Sequence, residues 1–300
     1  MIRILTRVCI RFDNCKMVTF DVLESLSKDR IKIEIKKGMR VQAKKGLGQH
    51  FLKDKGIAKR IVDLLEPQAQ DIILEIGPGM GVLTEFLLEK FGERVHVVEI
   101  DKESVEYLET NFPELQGRIY NADFLKMDLG ATFKSKLAVI GNFPYNISTQ
   151  ILFHLLDSRE QVSQVIGMFQ REVARRITIG PGTKEYGILS VLLEAYFTRK
   201  YVFTVPENVF QPPPKVKSGV LVLEKKGEQP VELNHVLFRR VVKAAFNQRR
   251  KTLRNSLGMM LPTKDADIPL LKLRPEQLDL NGFIELVRFI ESDSFGAQNL

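Results

Sequence analysis

Along this chain, short apolar runs end in glycine, acid or amide and alternate with stretches whose apolar residues recur at helical spacing. Ile72-Ile73-Leu74-Glu75-Ile76 reads as a strand, Gly77-Pro78-Gly79-Met80-Gly81 as a tight turn, and residues 82–88 as the start of a helix. Val95-His96-Val97-Val98-Glu99-Ile100-Asp101 predicts a second strand, residues 118–124 a third element, and Leu137-Ala138-Val139-Ile140-Gly141 a fourth strand. Strands alternating with helices predict an α/β fold, a doubly wound Rossmann-like sheet.

The second half reads differently. Gln211-Pro212-Pro213-Pro214-Lys215 is extended and polyproline-like, and Ser218-Gly219-Val220-Leu221-Val222-Leu223-Glu224 is a further strand. Past residue 230 the pattern turns helical, at roughly 233–257 and 281–292. In the first helix Arg240, Lys243, Asn247, Arg250, Lys251 and Arg254 share a polar face, and Val242, Phe246, Leu253 and Leu257 an apolar one. Arg249 falls toward the apolar side and is expected to bridge two domains. The expected organisation is an extension over 1–40, either a spurious upstream start before Met39 or a weakly structured segment, a sheet domain over 41–226, and a small C-terminal helical domain over 227–300.

Charge changes the picture more than length does. The 300 residues carry a formal net charge of +8, which favours an anionic partner, and nucleic acid is the natural candidate. Lys243, Arg250, Lys251 and Arg254 are the expected RNA contacts. The two cysteines, Cys9 and Cys15, fit no zinc or redox spacing, so no metal and a reducing cytoplasm are expected. The acids Asp13, Asp21, Glu24, Asp29 and Glu34 argue against an organelle-targeting peptide, and no apolar run reaches the roughly 18 residues of a membrane span.

The chemistry clusters where the strands end. Glycines at 77, 79 and 81 let a ligand approach the backbone, and Glu99 stands eighteen residues past Gly81, the usual offset for a carboxylate accepting from ribose hydroxyls. The dinucleotide fingerprint does not fit, because its third glycine comes one residue early and Val82 holds its last position. Asp123 serves either to accept from an adenine amino group or to cap a helix. His96, on an apolar strand, reads as a packed residue. Asn142-Phe143-Pro144-Tyr145 places an acceptor, a stiff turn and an aromatic ring after the fourth strand, the set needed to hold a base by its exocyclic amine.

Together, Glu75-x-Gly77-x-Gly79-x-Gly81, Glu99, Asp123 and Asn142-Phe143-Pro144-Tyr145 resemble the S-adenosylmethionine-dependent N6-adenine methyltransferases. Lys45-Gly46-Leu47-Gly48-Gln49-His50-Phe51-Leu52 resembles the motif that closes over the methionine end of that cofactor in the ribosomal RNA adenine dimethyltransferases. Phe169-Gln170-Arg171-Glu172, Tyr186-Gly187-Ile188-Leu189-Ser190, Gln211-Pro212-Pro213-Pro214-Lys215 and Phe246-Asn247-Gln248-Arg249-Arg250-Lys251 extend the likeness over about 41–290, near the small-subunit (KsgA) branch.

The resemblance implies cofactor contacts at His50, Leu52, Gly77, Gly79, Glu99, Asp123 and Asn142, and catalysis by Asn142, Phe143, Pro144 and Tyr145. It implies dimethylation of two adjacent adenosines in a 3′-terminal hairpin of small-subunit rRNA, the substrate being an immature small ribosomal subunit. A monomeric, cytoplasmic enzyme is expected, with no metal and no membrane partner. Two positions depart from the family pattern: His50 stands where Asn is frequent, and Phe143 where Leu is frequent. Phe169 is a stacking ring or a core residue, and Tyr186 and Gly187 match without an evident chemistry. The rival readings are a large-subunit rRNA methyltransferase conferring antibiotic resistance and a non-catalytic RNA-binding assembly or transcription factor. Gln211-Pro212-Pro213-Pro214-Lys215 speaks against the first, and Asn142 with the glycine turn against the second.

Overall fold

The computed structural model describes residues 4–12, 16–24, 41–227, 233–261 and 268–296. They fall into two compact units, 1–42 and 43–300. In the first, β1 (Ile4–Phe12) and β2 (Lys16–Glu24) form an antiparallel ladder from Ile4↔Glu24 to Phe12↔Lys16, both strands being rich in β-branched residues. The extension expected to be weakly structured or spurious thus carries two strands; its remaining residues lie outside those described.

The second unit begins with β3 (Phe51–Leu52) and α1 (Lys55–Val62) and then enters the predicted alternation. Its elements are β4 (Ile72–Ile76), α2 (Val82–Phe91), β5 (Val95–Glu99), α3 (Lys102–Asn111), β6 (Ile119–Asn121), α4 (Leu129–Thr132) and β7 (Leu137–Asn142). There follow α5 (Ser148–Asp157), β8 (Val162–Gln170), α6 (Arg171–Thr178), α7 (Ile188–Tyr196), β9 (Phe197–Val205), β10 (Phe210–Gln211) and β11 (Ser218–Lys225). The C-terminal helices are α8 (His235–Asn247), α9 (Leu253–Ser256) and α10 (Leu280–Gly296).

Seven strands make one sheet in the order β6-β5-β4-β7-β8-β11-β9, parallel from β6 through β8 and antiparallel at β11 and β9. Strand order reverses beside β4, with β5 on one side and β7 on the other, which opens a crevice at the carboxyl ends of these strands. Alternate residues feed opposite faces, as the two-residue period of a strand demands. Leu74, Ile76, Leu137 and Val139 pack with α4, α5 and α7, while Ile73, Ala138 and Ile140 pack with α1, α2 and α3. This is the doubly wound arrangement the sequence predicts.

Two expectations need correction. The helix expected over 233–257 is broken: α8 stops at Asn247 and α9 is a four-residue piece after a turn at 248–252. Arg249 turns back to donate to the carbonyls of Thr183 and Lys184, and Leu253 N–H donates to Leu273 O at 2.8 Å, fixing the start of α9. The boundary expected at 226/227 is likewise no break in the packing. Phe238, Val241, Val242, Leu253, Phe283 and Leu286 belong to the same buried cluster as Leu137, Ile151 and Phe197 of the sheet side.

Candidate active site

At the carboxyl ends of β4, β5 and β7 lies a cavity of about 270 Å³ lined by Gly77, Gly79, Glu99, Asp123, Asn142, Tyr145 and the segment 46–51. The glycine turn forms its floor. Gly77 has φ +67° and nothing within 4 Å of where a Cβ would project, so ligand atoms can approach its backbone. Gly79 has φ +55°, and a Cβ there would run into the Phe51 ring at 2.6 Å.

Glu99 ends β5 almost wholly buried. Its Oε2 accepts Gly79 N–H at 3.1 Å and its Oε1 accepts Asp101 N–H at 2.9 Å, which aims the carboxylate at the turn. Burial pushes its pKa up, against the opposing pull of those two amides. Asp123 fulfils both readings given for it: Oδ1 caps the turn after β6 by accepting Leu125 N–H at 3.1 Å, and the side chain lines the cavity. On β4, Glu75 accepts from Thr84 Oγ1 at 2.6 Å, and burial pushes its pKa up to about 8, which favours the neutral acid.

Segment 44–52 ties the cofactor end to the catalytic end. Lys44 and Gln49 both reach Asp101, which follows β5, and β3 pairs with β10 through Phe51↔Gln211 and Leu52↔Phe210. Asn142 Nδ2 donates to His50 O at 2.7 Å. That bond uses the amide's donor and turns Oδ1, the acceptor, to the other side. His50 also lines the cavity, its Nδ1 donating to Pro212 O at 2.8 Å and its ring centroid lying 5.7 Å from that of Tyr145. Leu52 is core and borders a small neighbouring hollow with Gly77 and Asn142 rather than the main cavity.

The four positions expected to be catalytic divide. Asn142 and Tyr145 are half-buried at the mouth, and Pro144 O closes a turn by accepting Ile147 N–H at 3.1 Å. The Phe143 ring is fully buried edge-on against Phe169, centroids 5.2 Å apart, in space that Gly167 leaves free. Phe169 is therefore core and not a stacking platform. Tyr186 is also core: its ring meets Phe246 of α8, which stacks on Phe283 of α10, so it joins the sheet to the C-terminal helices. His96 packs against Tyr120 and Phe133, as expected of a strand residue.

The basic residues disperse. Arg250 and Lys251 are exposed in the turn after α8, Arg254 lies in α9, and Lys243 sits over the Phe153 ring at 5.3 Å, so they do not form one helical face. Arg249 bridges as expected, its Nη2 donating to Thr183 O at 2.9 Å.

Sequence reasoning missed Ser218, whose buried hydroxyl hydrogen-bonds the Tyr145 phenol, and Asn146, whose side chain fills the space above Gly48. A lone serine opening an apolar strand was the available signal for the first. Among the described residues no group of three or more His, Cys, Asp or Glu is placed to hold a metal ion.

Comparison with known proteins agrees with this geometry. Residues 40–278 match the family model described as ribosomal RNA adenine dimethylase. A ribosomal RNA small subunit methyltransferase A of Parabacteroides distasonis is 54% identical over 82% of this chain and 93% of its own length, and one of Flavobacterium johnsoniae is 53% identical over 85% and 98%. The fold is similar to a dimethyladenosine transferase from Plasmodium falciparum, with a TM-score of 0.68 at 24% identity over 82% of this chain and 98% of that one. It is also similar to the 23S rRNA methyltransferase ErmE, with a TM-score of 0.60 at 25% identity over 79% and 99%. With its glycine turn, buried Glu99 and oriented Asn142 in one crevice, the chain belongs to the ribosomal RNA adenine dimethylase family.

Proposed function

We propose that this chain transfers methyl groups from S-adenosylmethionine to N6 of two adjacent adenosines in the 3′-terminal hairpin of small-subunit rRNA. The carrying observation is the Asn142 amide, locked by His50 O with its acceptor oxygen turned away, beside the Tyr145 ring in the crevice that holds Gly77 and Glu99. Two relatives at 54% and 53% identity bear the small-subunit name, which favours this target over the large subunit. The fold alone does not separate the two, since ErmE matches as well. Treating unmodified small-subunit particles with the protein and S-adenosylmethionine, then mapping N6-dimethyladenosine by primer extension, tests the reading.

The residues fit the cofactor. Gly77 leaves room along the backbone, Glu99 can accept from ribose hydroxyls, and Asp123, whose Oδ2 lies 3.6 Å from Lys126 Nζ, keeps lone-pair capacity for an adenine amine. When bound, S-adenosylmethionine supplies a methyl group on a sulfonium that is its own leaving group. The protein's part is alignment. Asn142 Oδ1 and a main-chain carbonyl at Phe143 or Pro144 accept the two N6 hydrogens, which lets the nitrogen pyramidalise and present its lone pair. The base stacks on Tyr145, whose ring is held by Ser218, and the same ring favours nearby positive charge. No strong base is needed, because the N6 proton becomes acidic as the N–C bond forms and the C–S bond breaks, and it passes to water. The target adenosine has to leave its stack to reach this site.

A monomeric enzyme acting on immature small subunits in the cytoplasm completes the proposal. No described helix is long and apolar enough to cross a membrane.

A further inference from the structure

Helix α5 leaves the catalytic loop and ends at a second cavity of about 600 Å³, bounded by its last turn, α7 and α8. Thr149, Phe153 and Asp157 recur every four residues and so share one side of α5, a path of roughly 15 Å for ten residues. Arg239 and Lys243 of α8 lie over the Phe153 ring at 5.5 and 5.3 Å, midway along it.

The far cleft is built of donors. Among the described residues Arg159, Arg239, Arg240 and Lys243 line it with one acid, Asp157, and that acid is already paired with Arg239. Arg159 is only 19% exposed, lies 4.7 Å over the Tyr196 ring, and its Nε is buried without a hydrogen-bond partner among the described residues. The carboxylate oxygen nearest it, on Glu160, is 3.6 Å away, and Glu160 also holds Lys225 at 2.8 Å. A buried guanidinium with an unmet donor calls for an external acceptor, and planar forks of this kind match phosphate.

His235 adds to the array. Its Nδ1 is 2.6 Å from the Tyr196 hydroxyl. Burial first, and Arg159 second, push the His235 pKa down, while burial pushes the Tyr196 phenol up. A neutral imidazole accepting at Nδ1 carries its proton on Nε2, which makes it one more neutral donor.

We infer that this cleft is a second RNA subsite, holding backbone phosphates of the substrate strand at the far end of α5 from the target adenosine. The inference rests on the RNA-methylating reading above. It accounts for a pocket at a distance from any chemistry in which, among the described residues, four cations outnumber the acids Asp157 and Glu160 beside them.

The test uses Arg240→Ala, an exposed side chain with no ion pair among the described residues, and Arg159→Lys, which keeps the charge but loses the fork. Each is titrated against full-length small-subunit rRNA and against a short hairpin carrying only the target adenosines. Calorimetric binding of S-adenosylmethionine reports whether the sheet is intact. For the long RNA, affinity should fall about three- to tenfold, and Arg240→Ala should flatten the slope of log affinity against log salt by roughly 0.7–0.9. Affinity for the short hairpin should not change. Equal losses on both RNAs would mean diffuse charge and would overturn the subsite, as would unchanged binding of the long RNA. Absence of methyl transfer by the unaltered protein would count against the proposed activity and leave the binding comparison readable.

Discussion

Asn142 and His50 are 92 residues apart in sequence, yet the amide nitrogen of one donates to the main-chain carbonyl of the other at 2.7 Å. Segment 44–52 thereby sets the orientation of the group proposed to receive the target amine. Asn142→Ala should lower the single-turnover methylation rate at least about tenfold at saturating S-adenosylmethionine, about 1.4 kcal/mol in the barrier. RNA affinity should change little. Rapid-quench assays with labelled methyl donor measure it, and near-normal turnover would remove Asn142 from catalysis.

Tyr145 and Ser218 should behave as one unit. Ser218→Ala leaves the partly buried phenol without its partner, and Tyr145→Phe removes the phenol itself, so each single change should slow turnover and the double change should add little. A coupling energy of roughly 0.5–3 kcal/mol is expected from the cycle. Strict additivity in single-turnover rates would show that the bond does not position the ring.

Glu99→Ala should weaken S-adenosylmethionine binding by about 1.5–3 kcal/mol, because a charged acceptor is lost and the amides of Gly79 and Asp101 lose theirs as well. Titration calorimetry decides. Binding of a nicotinamide dinucleotide by the unaltered protein would contradict the cofactor assignment.

Arg249 and its neighbours should part company. Arg249→Ala removes two bonds to the 183–184 carbonyls and should lower the melting temperature while leaving the salt dependence of RNA binding nearly unchanged. Replacing Arg250 and Lys251 together should do the reverse, flattening the log–log salt slope by about one to two units. Thermal melts and titrations at several salt concentrations separate the two roles.

Glu75 makes stability depend on pH in an unusual direction. Its folded pKa of about 8 lies above the ordinary 4.5, so between those values the unfolded chain releases a proton that the folded chain keeps. Rising pH over that window therefore favours unfolding. Glu75→Gln keeps a neutral partner for Thr84 and removes the titration. The unaltered protein should lose several degrees of melting temperature relative to this variant between pH 5 and 8, at roughly 2–4 °C per kcal/mol. Parallel pH profiles would mean Glu75 is ionised in the folded state.

Local pattern made β4, the glycine turn and the Asn-Phe-Pro-Tyr segment legible, because period and turn chemistry act over a few residues. Facing was harder. Phe169 looks available for stacking until β7 and β8 pair and Gly167 opens a slot that swallows the Phe143 ring against it. The break after Asn247 escaped a helical-spacing argument because its cause lies in carbonyls at 183–184 and 273, far along the chain. Ser218, Pro212 and Asn146 escaped for the same reason, each acting on a residue it meets only in the folded sheet.

The apolar cluster shared by the sheet and the C-terminal helices bears on how the enzyme can be regulated. Cutting the chain near residue 227 would not free a working catalytic fragment, since one face of the sheet, with Leu155, Tyr196 and Leu223, would be stripped of Phe238, Val241 and Leu286. The two halves should melt in a single calorimetric transition. Proteolysis between them would then destroy the enzyme, and a cell could switch the activity off by that route but could not use it to release an active sheet from the C-terminal helices.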